Sequence, residues 1–266
     1  MKDMAKKISA AAVSSTMPWK KIPKYLLPFV VVFIVVAVFF IAQYTASLLV
    51  SIYPFAAGYN SAQASTWLDN SITAQFVYVV LAEAFTVGLI YLLLKHYNRG
   101  LRTLGLNSPK WKYLLFALIA YPVYLLIYFL LFNILSHVFT GLNVNQVQQI
   151  GFNSVHGSYQ LILTFISLVI LPPIAEEVLF RGFMFEGLKR SMSPVLAGVI
   201  TSAIFAAAHL PEGASHLLWI GALDTFTLSL VLVYLKQKTK SLWPGIILHA
   251  LKNLVAFISL FLLTPR

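Results

Sequence analysis

Seven stretches of this chain are apolar for long enough to cross a bilayer, and they leave little sequence for anything else. They run over Leu26–Val50, Thr73–Leu94, Tyr113–Leu135, Tyr159–Phe185, Pro194–Leu210, Leu217–Leu235 and Leu242–Leu263. A helix needs roughly 20 predominantly apolar residues to span hydrocarbon. No water is available there to satisfy backbone polar groups, so helices or closed barrels are the structures that span. Runs of this length predict an all-α, polytopic membrane protein of about seven transmembrane helices. The N-terminal segment and the loop before Tyr159 leave room for an eighth. Composition agrees, with 10% charged residues and a mean hydropathy of +0.83, against about 25% charged in soluble globular domains. No cleavable signal peptide is expected, because the first apolar run starts near Leu26 and is long enough to stay as an anchor. The chain divides into a basic N-terminal segment (1–25), an N-terminal group of helices (26–158) and a C-terminal membrane core (159–266).

The net charge of +11 invites a nucleic-acid reading, but its distribution argues against one. Lys2, Lys6, Lys7, Lys20, Lys21 and Lys24 precede the first run. Lys95, Arg99, Arg102, Lys110 and Lys112 lie between the second and third. Lys189 and Arg190 follow the fourth, and Lys236, Lys238 and Lys240 lie between the sixth and seventh. The alternate loops, Tyr53–Ile72, Ser136–Ser158 and Pro211–His216, hold no Lys or Arg. That alternation is the positive-inside pattern. It predicts a cytoplasmic N-terminus and, with seven spans, an outer C-terminus. The positive charge then orients the protein and faces anionic lipid; no nucleic-acid partner is expected. The absence of cysteine excludes disulfides, a thiolate metal site and a cysteine nucleophile.

Against this background the acids stand out, since the whole chain has only eight. Glu176 and Glu177 sit side by side after the run LILTFISLVILPPIA, and carboxylates at membrane depth are expensive and functional by default. Residues four apart share a helix face, so Glu177 can pair with Arg181, which leaves Glu176, about 100° away around the helix, as the unpaired acid. The same spacing also fits a plain surface ion pair at a helix end. Pro172 and Pro173 upstream should disturb the helix. In the fifth run, Phe205-Ala-Ala-Ala-His209 has one ionisable group, His209, which fits either an interfacial or a site residue. In the seventh, His249 and Asn253 share a face. They suit interhelical hydrogen bonding or donation to a developing oxyanion. Lys252 is expected on another face, snorkelling toward headgroups. Glu83 and Asp224, single acids without partners at helical spacing, read as structural acids or as groups lining a cavity or meeting Arg and Lys near the site. Together, an acid able to polarise water, two histidines and an amide donor form the inventory for water-mediated acyl hydrolysis.

These motifs, EExxxR, FxxxH and HxxxN in that order on successive apolar segments, resemble the CAAX protease and bacteriocin-processing family of intramembrane glutamic or metallo-endopeptidases. The resemblance covers about Tyr159–Leu263; the first three spans match only in general character. It implies an enzyme, a peptidase hydrolysing a peptide or lipid-anchored protein in the membrane, with a link to bacteriocin processing in the bacterial branch. It assigns Glu176 as the base that activates water and His209 as its partner on that water. His249 and Asn253 would bind the oxyanion, with Glu177 and Arg181 as support. It implies no cofactor, or alternatively a zinc ion held by Glu176, His209 and His249, since catalytic zinc usually takes three protein ligands. It also places the protein in a bacterial cytoplasmic membrane, with the polar cavity opening to the cytoplasm. Two other functions suit the same sequence. A non-catalytic scaffold or regulator of membrane enzymes would use the polar cluster for packing. A proton-coupled transporter would use the acids and histidines as a relay, although no internal repeat is visible. Substrate identity, the need for prenylation and oligomeric state are not written in the sequence.

Overall fold

In the computed structural model, which describes residues 22–139, 146, 148–213 and 217–263, seven helices run back and forth. They are α1 (Leu27–Ala56), α2 (Ile72–His96), α3 (Trp111–Val138), α4 (Ser158–Leu188), α5 (Pro194–Glu212), α6 (Trp219–Thr239) and α7 (Trp243–Leu263). Each is long and apolar enough to cross a membrane. Among the described residues the extended structure is a single bridge between Gln148 and Gly213. The N-terminal segment, where an eighth helix had room, lies outside the described residues up to residue 21. So does His216.

Proline marks several starts. Pro28, Pro194 and Pro244 sit in the first turns of α1, α5 and α7, where the missing N–H has no intrahelical partner to lose. Within α4 two prolines act differently. This helix is α-helical over Ser158–Phe165, π-helical over Ile166–Ile170, α-helical over Leu171–Glu176 and π-helical again over Glu177–Met184. The carbonyl of Leu168 would bond to the N–H of residue 172 in an α-helix, or of residue 173 in a π-helix. Both positions are proline, so neither geometry can satisfy it. The side chain of Asn253 on α7 does, with Nδ2 donating to the Leu168 carbonyl at 2.9 Å.

Lipid-facing and protein-facing surfaces separate cleanly. Phe29, Phe33, Phe40 and Tyr44 on α1, and Leu115, Leu118, Leu126, Phe129 and Leu130 on α3, are exposed. An apolar surface of that extent on a soluble protein would be an aggregation liability; here it is a lipid-facing belt. Inside, helices approach closely where residues are small. Ala117 and Ala120 of α3 pack on Leu228, Val231, Leu232 and Leu235 of α6. At Gly198 a methyl would lie 2.9 Å from Val233 Cγ1, so glycine there sets how near α5 and α6 can come.

One end of the bundle is solid. Val178, Leu179, Phe180, Met184, Phe185 and Leu188 of α4 form a buried cluster with Leu104, Leu242 and Ile246. The α2–α3 loop tucks into this end. Lys236 Nζ donates to the Leu104 carbonyl at 2.5 Å, and Leu242 N donates to the Gly105 carbonyl at 2.9 Å. Gly105 has φ +97°, a conformation that favours glycine. Glu186 pairs with Lys189 at 3.0 Å and Lys236 at 3.7 Å across the same end. This is the end that carries the Lys- and Arg-rich loops.

Candidate active site

The opposite end is hollow. A cavity of about 290 Å³ is lined by Glu176 and Pro172 of α4, His209 and Glu212 of α5, Asp224 of α6, and His249, Lys252 and Asn253 of α7. Gln148, Gln149 and Ile150 from the α3–α4 loop and Leu218 form its rim. A second cavity of about 170 Å³ adjoins it, lined by Gln43 of α1, Glu83 of α2, and Phe180 and Phe205. Glu176, His209 and Glu212 line both. Every residue that the sequence nominated as catalytic therefore faces one polar chamber, although they come from three different helices.

The sequence reading expected a chamber facing the cytoplasm. Residues 148–150, 212 and 218, which line the cavity, lie within or beside the loops that lack Lys and Arg, and the basic end is filled by the α4 cluster and Leu104. On the basic side of Glu176, every residue of α4 from Glu177 to Leu188 except Glu186 is buried.

The two glutamates take unequal places. Glu177 Oε1 meets Arg181 Nη1 at 2.8 Å, with both side chains fully buried. The i,i+4 pair of the sequence reading is thus an interior ion pair and not a surface one. Arg181 Nε and Nη2 have no hydrogen-bond partner among the described residues, and the guanidinium rests 4.2 Å from the centre of the Phe205 ring. Phe205 in turn makes edge-on contacts with His209 at 4.8 Å and His249 at 6.0 Å. The ion pair thereby supports the aromatic residue that both histidines lean on. Gly245 of α7 is where the neighbouring helix passes the pair. A methyl group there would lie 2.5 Å from Glu177 Oε2. Gly245→Ala is expected to destabilise the protein by about 1–3 kcal/mol, the range for overpacking, seen as a lower melting temperature in detergent.

Glu176 carries the free carboxylate. Its Oε2 is buried without a hydrogen-bond partner among the described residues and stands 3.7 Å from His249 Nε2. His249 is buried too, and its Nδ1 likewise has no partner among the described residues. His209 Nδ1 lies 2.8 Å from the Phe205 carbonyl. A carbonyl only accepts, so that nitrogen carries the hydrogen. In the neutral ring Nε2 then holds the lone pair, and it faces Glu212 Oε1 at 3.9 Å. Asn253 spends one of its two amide hydrogens on Leu168 and retains the other.

Sequence reasoning placed some groups in this chamber only loosely and passed over another. Lys252, expected to snorkel, pairs with Asp224 Oδ2 at 3.2 Å, and Tyr124 Oη donates to Asp224 Oδ1. Asp224 had no partner at helical spacing because its partners are on α3 and α7. Glu212 was passed over. Its side chain accepts from Gln148 Nε2 at 2.7 Å and its carbonyl from Gln149 N at 2.7 Å, which straps the α3–α4 loop over the rim. Gln146 adds to the strap by accepting from Ile220 N at 2.9 Å. Glu212 lies three residues after His209, on the same turn, and that spacing was the available signal.

The zinc alternative needs Glu176, His209 and His249 to converge as a ligand set. Among the described residues no group of three or more His, Asp or Glu side chains could hold a metal ion.

Known proteins resemble this region. A family model described as "Type II CAAX prenyl endopeptidase Rce1-like" matches residues 158–255, which include every nominated residue. The Bacillus subtilis (strain 168) protein named "Putative membrane peptidase YdiL" is 33% identical over 96 residues. That match spans 36% of this chain and 36% of the relative, so it covers about a third of each. No solved structure matches significantly. The chain thus has seven candidate membrane spans among the described residues, and its residues 158–255 are similar to the Rce1-like type II CAAX prenyl endopeptidase family.

Proposed function

We propose that the protein is a membrane-embedded endopeptidase in which Glu176 activates the attacking water. The observation that carries this reading is the Glu176 carboxylate: buried, with Oε2 lacking a hydrogen-bond partner among the described residues, beside His249 in a polar cavity at membrane depth. An acid held this way is functional by default, and its neighbours match the needs of amide hydrolysis. Glu176 takes a proton from water as the water oxygen bonds to the scissile carbonyl carbon. His209 Nε2 accepts a hydrogen bond from the same water. The carbonyl oxygen becomes an oxyanion that receives the second amide hydrogen of Asn253 and a hydrogen bond from His249. The proton held by Glu176 then passes to the amide nitrogen, the C–N bond breaks, and an acid and an amine leave.

The family match supports a peptide or protein substrate, and the rival scaffold reading has support from one contact. Asn253 satisfies the Leu168 carbonyl, a packing role that needs no chemistry. Cleavage of a peptide library by purified protein in liposomes, wild type against Asn253→Ala, separates the two. Loss of one oxyanion donor is expected to lower kcat by about 10²- to 10³-fold. A scaffold would show no cleavage in either protein, and unchanged cleavage in the variant would remove Asn253 from the oxyanion site.

A further inference from the structure

The direction from which the site is reached follows from two independent features, one of the cavity and one of the charge. On the basic end, the chain between Glu176 and solvent is the fully buried stretch Glu177–Phe185, closed by Leu104 and Leu242. At the other end the chamber reaches the rim formed by Gln148, Gln149, Glu212 and Leu218. Among the described residues, every Lys and Arg except Arg181 and Lys252 lies at the sealed end. Basic residues near the ends of short loops stay in the cytoplasm. We propose that the site opens on the outer face of the cytoplasmic membrane and takes its polypeptide substrate from that side.

This rests on the endopeptidase reading for the word substrate, but not for the direction of opening. The substrate class it names is an extended segment of a secreted or membrane-tethered polypeptide on the outer face. The segment would pass between the strap formed by Gln146, Gln148 and Gln149 and the start of α6. A prenylated C-terminus exposed in the cytoplasm would meet the sealed end, where the Glu177–Arg181 pair and the α4 cluster leave no passage. The strap is held to the opposite rim by Gln148–Glu212, Gln149–Glu212 and Gln146–Ile220 contacts, so the entrance is framed by polar groups that an extended peptide backbone can also engage.

The lack of cysteine makes the test direct. Three single-cysteine variants are expressed in bacterial cells: Gln149→Cys at the rim, Leu168→Cys inside the chamber and Lys238→Cys at the basic end. Intact and lysed cells are treated with a small, charged, membrane-impermeant methanethiosulfonate. Cysteine at 149 and at 168 is expected to react in intact cells. Cysteine at 238 is expected to react at least ten-fold less in intact cells than after lysis. Reaction of 238 but not 149 in intact cells would overturn the orientation. Reaction of 149 but not 168, in intact and lysed cells alike, would overturn the opening of the chamber to that rim. Labelling needs no catalysis, so failure of peptide cleavage by the wild type would sink the endopeptidase reading and leave this result standing.

Discussion

Glu176→Gln is expected to lower peptide cleavage by about 10³- to 10⁴-fold, the upper part of the range for a general acid–base group, with the melting temperature in detergent almost unchanged. The substitution keeps shape and volume and removes only the capacity to take a proton. It should also be structurally mild, because Glu176 Oε2 accepts no hydrogen bond from any described residue and its nearest charge partner, His249 Nε2, is 3.7 Å away. Kinetics in liposomes and a melting curve on the same preparation check it. A well-folded variant that cleaves like the wild type would dismiss Glu176 as the base, and a phenotype indifferent to changes at Glu176, His209 and His249 would favour the scaffold reading. His209→Ala should lose less, since that ring assists the water and does not hold the proton.

Arg181→Leu should act on stability before it acts on chemistry. Breaking a buried pair by removing one partner costs about 3–5 kcal/mol, because the remaining charge is left uncompensated. Glu177 is fully buried, and its ion-pair partner is Arg181 at 2.8 Å. The expected result is a large fall in folded yield and melting temperature. Replacing both members by apolar residues, Glu177→Leu with Arg181→Met, should recover most of the loss, since such swaps are often near neutral. A single variant as stable as the wild type would show that the pair does not hold this end together. The double variant should still be a poorer enzyme, because the guanidinium no longer supports Phe205, on which His209 and His249 rest.

The contrast between the two glutamates was legible before any coordinates, because a pairing at i,i+4 depends only on the turn of one helix. Pro172 and Pro173 announced a disturbed helix in the same way. What they do is more specific than disturbance. By removing both N–H groups that Leu168 could reach, they create an acceptor that only another helix can satisfy. Recognising Asn253 as that donor required α4 and α7 to be placed side by side. Lys252 and Asp224 show the same limit from the other direction. Each looked solitary along its own helix, and each finds its partner across a helix–helix interface.

By itself the sequence determined the seven spans found among the described residues, the end at which the basic loops gather, the Glu177–Arg181 pair and the inventory of reactive groups. These depend on local apolar length, loop charge and helical spacing, all of which are properties of one segment at a time. Only the tertiary structure decided that Glu176, His209, His249 and Asn253 face one chamber, that Asp224, Lys252 and Glu212 share it, and that the end with the basic loops is filled. Those outcomes depend on how far each helix is rotated and tilted against its neighbours, and on which end the side chains of α4 fill. No spacing within a single helix encodes that.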